Sequence, residues 1–192
     1  MEISYLPLDW VTYHEYTRKL AASILSHTPK INQIVAISRG GLTLGRLLSD
    51  FLNIPVATFT IQSYTDIQSE GEIKITEPLK TSIRGNHVIL VDDVADSGKT
   101  LKRALLYLKR FGPASVTTVT MFYKPRSSYR PDYFAEETKK WILFPYEPTE
   151  MIKSISLTMS ADGKSKADIQ KKLTTLGYTN DQIKFVRKYH LQ

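Results

Sequence analysis

Apolar positions follow two alternating rhythms along the chain. Residues 12–25, "TYHEYTRKLAASIL", carry Tyr16, Leu20 and Ile24 on one helical face, with Thr12 and Glu15 at capping-box spacing. Within "INQIVAISRGGLTLGRLLSDFLNIPVATFTI" the run 34–37 predicts a buried strand. A glycine turn leads from it to a helix with Leu44, Leu47, Leu48 and Phe51 at i, i+3, i+4, i+7. Asn53 and Pro55 supply the stop before a further strand. The theme repeats in "HVILVDDVADSGKTLKRALLYLKRFG", where Leu101, Ala104, Leu105 and Leu108 form one stripe and Gly112-Pro113 ends it. "SVTTVTMFY" and "KKWILFPY" read as two more strands. Strands alternating with helices predict an α/β fold, a mostly parallel twisted sheet flanked by helices, whose ligands bind at the carboxyl ends of the strands. Between the two units, residues 62–86 are polar and lack an apolar period, which fits a pair of twisted strands or a mobile loop.

From Ser160 the pattern changes to two short helices, the first ending at Gly177 and the second capped by Thr179 or Asn180. Leu173, Leu176, Ile183 and Val186 form the small apolar face between them. The expected organisation is one domain over 1–155 and a small basic helical extension over 156–192. Net charge is +7 over 192 residues, and from residue 151 onward eight Lys or Arg stand against three Asp, so most of the excess is in the tail. The chain has no cysteine, no signal-peptide pattern and no apolar run near the ~20 residues of a membrane span. A cytoplasmic protein without disulfides is expected. His14, His27, His87 and His190 show no ligand spacing, so no zinc site is expected.

The chemistry concentrates in "VILVDDVADSGKTL", residues 88–101. A buried run delivers Asp92 and Asp93 to the sheet's rim, where carboxylates can accept hydroxyl protons or hold Mg²⁺. Asp96, Ser97, Gly98, Lys99 and Thr100 then turn into a helix, presenting free N–H groups and hydroxyls at the positive end of its dipole. Sugar hydroxyls at one end and a phosphate at the other describe a ribose 5-phosphate. Gly98-Lys99-Thr100 could close a Walker A loop, but the position requiring its first glycine is Asp93. A dinucleotide fingerprint at Gly40 fails likewise, because the position requiring its second glycine is Leu42.

This ordered set resembles the phosphoribosyl diphosphate signature of type I phosphoribosyltransferases. "AISRGGLTLG" resembles that family's diphosphate loop, and "FYKPRSSYRPDYF" with "KKWILFPYE" is similar to the base-binding hood of bacterial xanthine-guanine enzymes. The likeness spans roughly residues 8–148 and implies the family's fold with a small hood, the C-terminal helices being an appendage outside it. The implied reaction moves ribose 5-phosphate from Mg²⁺-bound phosphoribosyl diphosphate to a purine, releasing diphosphate. By that resemblance Asp96, Ser97, Gly98, Lys99 and Thr100 bind the 5-phosphate, and Asp92 and Asp93 hold the ribose hydroxyls, directly or through Mg²⁺. Asp96 faces the purine N7 as general base. Ser38, Arg39, Gly40 and Gly41 bind the diphosphate, and Ser63 and Tyr64 lie in a closing lid. Lys124 donates to a 6-oxo group, Trp141 stacks on the ring, and backbone at Trp141 and Ile142 reads the 2-position, so hypoxanthine, guanine and xanthine all stay open.

Tyr146 stands where the bacterial pattern has a second tryptophan, and Glu147 replaces Asp, so the hood's geometry is expected to differ. Trp141 also reads as plain core. Two other functions stay in view: a phosphoribosyl diphosphate-sensing regulator on the same fold, and transfer to adenine or orotate, against which Lys124 and Trp141 argue. The basic tail is read as a packing or oligomer element rather than a nucleic-acid contact. The family likeness implies a homodimer or homotetramer.

Overall fold

The computed structural model describes residues 3–27, 30–66 and 69–191, and side chains for these apart from residues 63–73. Two compact units emerge, one of residues 14–139 and one of residues 1–13 with 140–192. The larger unit carries a six-stranded sheet. Its strands are β2 (Gln33–Ser38), β3 (Val56–Asp66), β4 (Ser69–Glu77), β5 (His87–Ala95), β6 (Ser115–Tyr123) and β7 (Tyr133–Glu137), in the order β4-β3-β2-β5-β6-β7. All neighbours are parallel except β3 and β4, which pair antiparallel with register shifts. Of the polar stretch 62–86, residues 62–66 and 69–77 therefore lie in an antiparallel strand pair.

Alternation along the central strands decides which helix lies where. Ile34 and Ala36 of β2 lie under α2 (Gly41–Leu52), close enough that a Cβ on Gly45 would come 2.8 Å from the Ala36 methyl. The opposite set, Val35 and Ile37 with Val88 and Leu90 of β5, packs with Leu101, Ala104 and Leu108 of α3 (Lys99–Lys109). Leu44, Leu48, Leu101 and Leu108 are all essentially inaccessible, so truncating any of them to Ala should cost about 2–5 kcal/mol. The first helix, α1 (Trp10–His27), starts two residues before the expected cap. Asp9 takes that role, its Oδ1 accepting the Thr12 N–H at 2.7 Å, while Glu15 pairs with Arg18 along the exposed surface. An ionised carboxylate at the cap gives a charge-assisted bond that a threonine hydroxyl cannot.

The smaller unit holds a parallel pair of short strands, β1 (Tyr5–Pro7) and β8 (Trp141–Leu143), which do not join the main sheet. Expecting "KKWILFPY" as a strand is met, but its partner is the N-terminal segment, which carries no strand pattern of its own. Three helices follow: α4 (Pro148–Ala161), α5 (Lys166–Thr175) and α6 (Asn180–His190). Ser165 and Thr179 close true capping boxes with Asp168 and Gln182, and Gly177 takes the left-handed conformation, φ 92°, after α5. Leu173, Ile183 and Val186 are buried as the sequence predicts, together with Ile152 and Ile155 of α4. α4 has no counterpart in the sequence reading.

Candidate active site

The strand order reverses between β2 and β5: the chain leaves β2 for β3 on one side and β5 for β6 on the other. The connecting helices go to opposite faces, so the loops at these two carboxyl ends part and leave a crevice, the usual ligand site of such sheets. Pairing fixes its depth. The last recorded partners between the two strands are Ala36 and Val91, whereas β5 continues beside β6 as far as Ala95 opposite Tyr123. Asp92 and Asp93 thus sit where β5 has lost its β2 neighbour.

The loop after β2 closes down on that place. A Cβ on Gly40 would fall 2.5–2.7 Å from the Asp93 carboxylate, and one on Gly41 would collide with the Val91 carbonyl oxygen. Only glycines allow this approach. Arg39 beside them is exposed, and the Ser38–Arg39 peptide is cis. Asp92 is nearly buried and its carboxylate accepts the Asp93 N–H at 3.0 Å. Burial first, and then the negative charge of Asp93, push the Asp92 carboxyl well above the usual carboxylate range, with the Asp93 N–H pulling the other way.

After β5 the chain turns through Asp96 and Ser97 into Gly98, whose φ of 77° suits glycine, and α3 begins at Lys99 with no side-chain cap. At its start Lys99 N–H donates to Ser97 Oγ at 3.4 Å, and the positive end of the helix dipole there favours an anion. A third loop, following β6, lies against this turn. Lys124 N–H donates to the Ala95 carbonyl at 3.0 Å, and both N–H and Oγ of Ser128 donate to the Ser97 carbonyl at 2.9 and 2.8 Å. A Cβ on Gly98 would come 2.6 Å from Ser127 Oγ and from the Tyr129 nitrogen. Arg126 grips Asp96: its Nη2 lies 2.6 Å from each carboxylate oxygen and its Nε 3.0 Å from Oδ1. Lys124 is buried, and burial lowers its ammonium pKa, which the Asp96 charge opposes and Arg126 reinforces.

Three neighbouring parallel strands therefore end in loops of distinct chemistry: one cationic and glycine-rich, one following carboxylates and leading into a helix start, one carrying a buried lysine. The family model for the phosphoribosyl transferase domain matches residues 10–151, about three quarters of the chain. The chain belongs to the phosphoribosyltransferase family. Solved structures agree with the fold. A purine phosphoribosyltransferase from Pyrococcus horikoshii is 29% identical with a TM-score of 0.69, over 76% of this chain and 95% of that one. A xanthine-guanine-hypoxanthine phosphoribosyltransferase from Helicobacter pylori is 23% identical with a TM-score of 0.66, over 78% and 99%. A hypothetical protein from Neisseria gonorrhoeae with bound ppGpp is 24% identical with a TM-score of 0.69, over 77% and 91%. The last two bear on the fold alone.

Within this phosphoribosyltransferase, the larger unit brings together Ser38, Arg39, Gly40 and Gly41 with Asp92, Asp93, Asp96, Ser97, Gly98, Lys99, Thr100 and Lys124. Ser63 and Tyr64 fall on β3, opposite Ile73 and Glu72 of β4, and their side chains lie outside the described residues. Trp141 and Ile142 belong to the smaller unit. Trp141 is 54% exposed, so plain core is not its role, and its N–H donates to the Ser4 carbonyl at 2.8 Å; Ile142 is buried. Sequence reasoning missed Arg126, Ser127 and Ser128. The usable signal was position: they follow Lys124 in the loop leaving β6, the strand beside β5, so they fall at the same carboxyl edge as the acidic turn.

Proposed function

We propose that the protein is a purine salvage enzyme that transfers ribose 5-phosphate from phosphoribosyl diphosphate to a 6-oxopurine, giving the nucleoside monophosphate and diphosphate. The observation carrying this reading is the coupling of the 96–100 turn to Lys124. A buried cation is held one backbone hydrogen bond from the strand end that leads into the phosphate-binding turn. A buried ammonium offers donors only, which suits a 6-oxo oxygen and opposes the 6-amino group of adenine.

In the reaction a ring nitrogen of the purine attacks the anomeric carbon as the bond from that carbon to the diphosphate oxygen breaks, the electron pair leaving with diphosphate. The N–H groups at the start of α3, with Ser97 and Thr100 hydroxyls, hold the 5-phosphate. Arg39 and the backbone N–H groups opened by Gly40 and Gly41 receive the leaving charge. Asp92 and Asp93 face the sugar, where negative charge favours the cationic carbon. Asp96 accepts the proton that the purine ring must lose.

The two adjacent carboxylates suit Mg²⁺, a hard cation that binds through oxygen. Among the described residues no group of three or more His, Cys, Asp or Glu could hold a metal, so Asp92 and Asp93 would supply at most part of its coordination. Diphosphate and water would supply the rest, the usual arrangement for this ion, whose charge supports the departing diphosphate. Burial first and the charge of Asp93 second hold Asp92 toward its neutral form, and a cation beside the pair would favour its ionised form.

A lid carrying Ser63 and Tyr64, ring stacking by Trp141 and backbone contacts from Trp141 and Ile142 complete the reading. A cytoplasmic homo-oligomer goes with it, residues 156–192 serving packing or assembly rather than nucleic acid. Among the described residues no helix is long and apolar enough to cross a membrane. The test is Asp96→Asn: transfer should fall about 100-fold, within the range for general-base removal, while phosphoribosyl diphosphate binding by calorimetry changes less than about threefold. Loss of that binding instead would remove the base assignment. A parent protein that binds phosphoribosyl diphosphate but transfers to no base would be a sensor.

A further inference from the structure

The fork of Arg126 on Asp96 has no part in the chemistry above, yet it engages the group that matters most. We propose that Arg126 is a positioning residue for proton transfer, holding the Asp96 carboxylate in one orientation over the phosphate turn. The proposal rests on the reading of Asp96 as the group that receives the purine's ring proton.

The geometry leaves Asp96 able to work. Nη2 bonds both carboxylate oxygens and Nε bonds Oδ1, so Oδ2 accepts a single bond from the guanidinium and keeps a lone pair for a ring N–H. The planar fork fixes the carboxylate plane as well as its position, which a lysine cannot do. Arg126 also rides on the loop that starts at Lys124, so one short segment sets the spacing between the group receiving the ring proton and the group meeting the exocyclic oxygen.

Stability does not explain the pair. The side chains of Arg126 and Asp96 are 70% and 46% exposed, and ion pairs so exposed contribute about 0–1 kcal/mol. Nor does the loop need it for anchorage. Lys124 N–H to Ala95, Ser128 to Ser97 twice, and Asp132 Oδ2 accepting both the N–H and the hydroxyl of Thr118 at 2.7 Å hold the segment independently. Orientation of an otherwise rotatable carboxylate is the remaining role, and misplacement on the order of 1 Å at a reacting group can cost up to about 100-fold.

The experiment is a double-mutant cycle on the full chain, with steady-state kinetics for phosphoribosyl diphosphate and a 6-oxopurine. R126Q should lower kcat about tenfold or more while the KM for phosphoribosyl diphosphate stays within about twofold. R126K should recover part of the loss. In a D96N background, R126Q should have no further effect, because no proton acceptor is left to orient. R126Q as fast as the parent, with D96N slow, overturns this proposal alone. R126Q costing as much in D96N as in the parent also overturns it, because the guanidinium would then act on the loop or the phosphate. D96N as active as the parent removes the Asp96 assignment and this proposal together.

Discussion

The loops after β2 and β5 begin at adjacent strand ends and each leads into a helix, yet they solve opposite problems. The β2 loop carries a cation and two glycines whose missing side chains let it press onto Asp93 and Val91. Its helix starts from Gly40 at φ −54°, an ordinary helical conformation, so those glycines serve proximity rather than backbone freedom. The end of β5 carries Asp92 and Asp93, and the loop after it carries Asp96 and one glycine at φ 77° that also lacks room for a Cβ. In the proposed reaction one side of the crevice would receive the leaving anion, and the other would favour a sugar that becomes cationic while keeping its own phosphate. A substrate with a diphosphate and a 5-phosphate on one ribose needs both.

Removing the cation should break the contrast most. Arg39→Ala is expected to lower kcat/KM about 10²–10³-fold, as loss of a charge-stabilising donor does, with the fold intact by circular dichroism. A fall of less than about fivefold would mean the two loops do not divide the charge this way. Gly98→Ala tests the other loop through its backbone. The φ of 77° and the contacts with Ser127 and Tyr129 should cost about 1–3 kcal/mol in thermal unfolding, together with weaker phosphoribosyl diphosphate binding. An unchanged melting curve would contradict the close seating of the third loop.

Lys124 sharpens the comparison by pH. Its ammonium is displaced downward, chiefly by burial, so the charged form is lost as pH rises through a value below the ordinary ~10.4 of lysine. If it meets the 6-oxo group as a cation, kcat/KM for that purine should decline along an alkaline limb that starts below that value. In Lys124→Arg, which stays charged, the residual activity should lack this limb, and an identical limb would assign it elsewhere.

The smallest effect belongs to the other unit. Tyr178 is buried, its hydroxyl has no hydrogen-bond partner among the described residues, and burial, with lesser help from Glu147 and Tyr5, raises its pKa. A phenol with a raised folded pKa leaves stability unaffected below its unfolded value of ~10 and lowers it as pH rises beyond. Tyr178→Phe should change stability at pH 7 by less than about 1 kcal/mol and reduce the alkaline loss in melts above pH 10. A large loss at pH 7 would reveal a partner for the hydroxyl.

The centre of the sheet was legible because β2 and β5 hold continuous apolar runs and the helices after them keep a 3.6-residue stripe, whereas β7, the sequence YFAEE, has no such run and was not expected as a strand. Residues 34–37 and 88–91 are buried to the last one, and Leu44, Leu48, Leu101, Ala104 and Leu108 face the core as expected, while Leu47, Phe51 and Leu105 of the same stripes are half-buried. β1 and α4 were not legible for different reasons. Three residues, Tyr5 to Pro7, are too few to show alternation, and they become a strand only because Trp141 to Leu143 pair with them. α4 buries Met151, Ile152 and Ile155 in a stretch the eye reads as the hood's continuation, and its entry at Pro148 lacks a capping side chain. At the site, the acidic turn announces itself because its residues are contiguous, whereas Arg126 reaches Asp96 across 30 positions. No local pattern encodes a contact made by the order of strands in a sheet.

The most direct measurement is nucleotide formation when the protein is incubated with phosphoribosyl diphosphate, Mg²⁺ and, separately, hypoxanthine, guanine, xanthine, adenine and orotate. Nucleoside monophosphate should form with at least one of the first three and at a rate about 100-fold or more above that with adenine or orotate, the discrimination expected when a buried donor meets the wrong exocyclic group. Product from adenine or orotate alone would contradict the assignment of Lys124 and with it the proposed reaction.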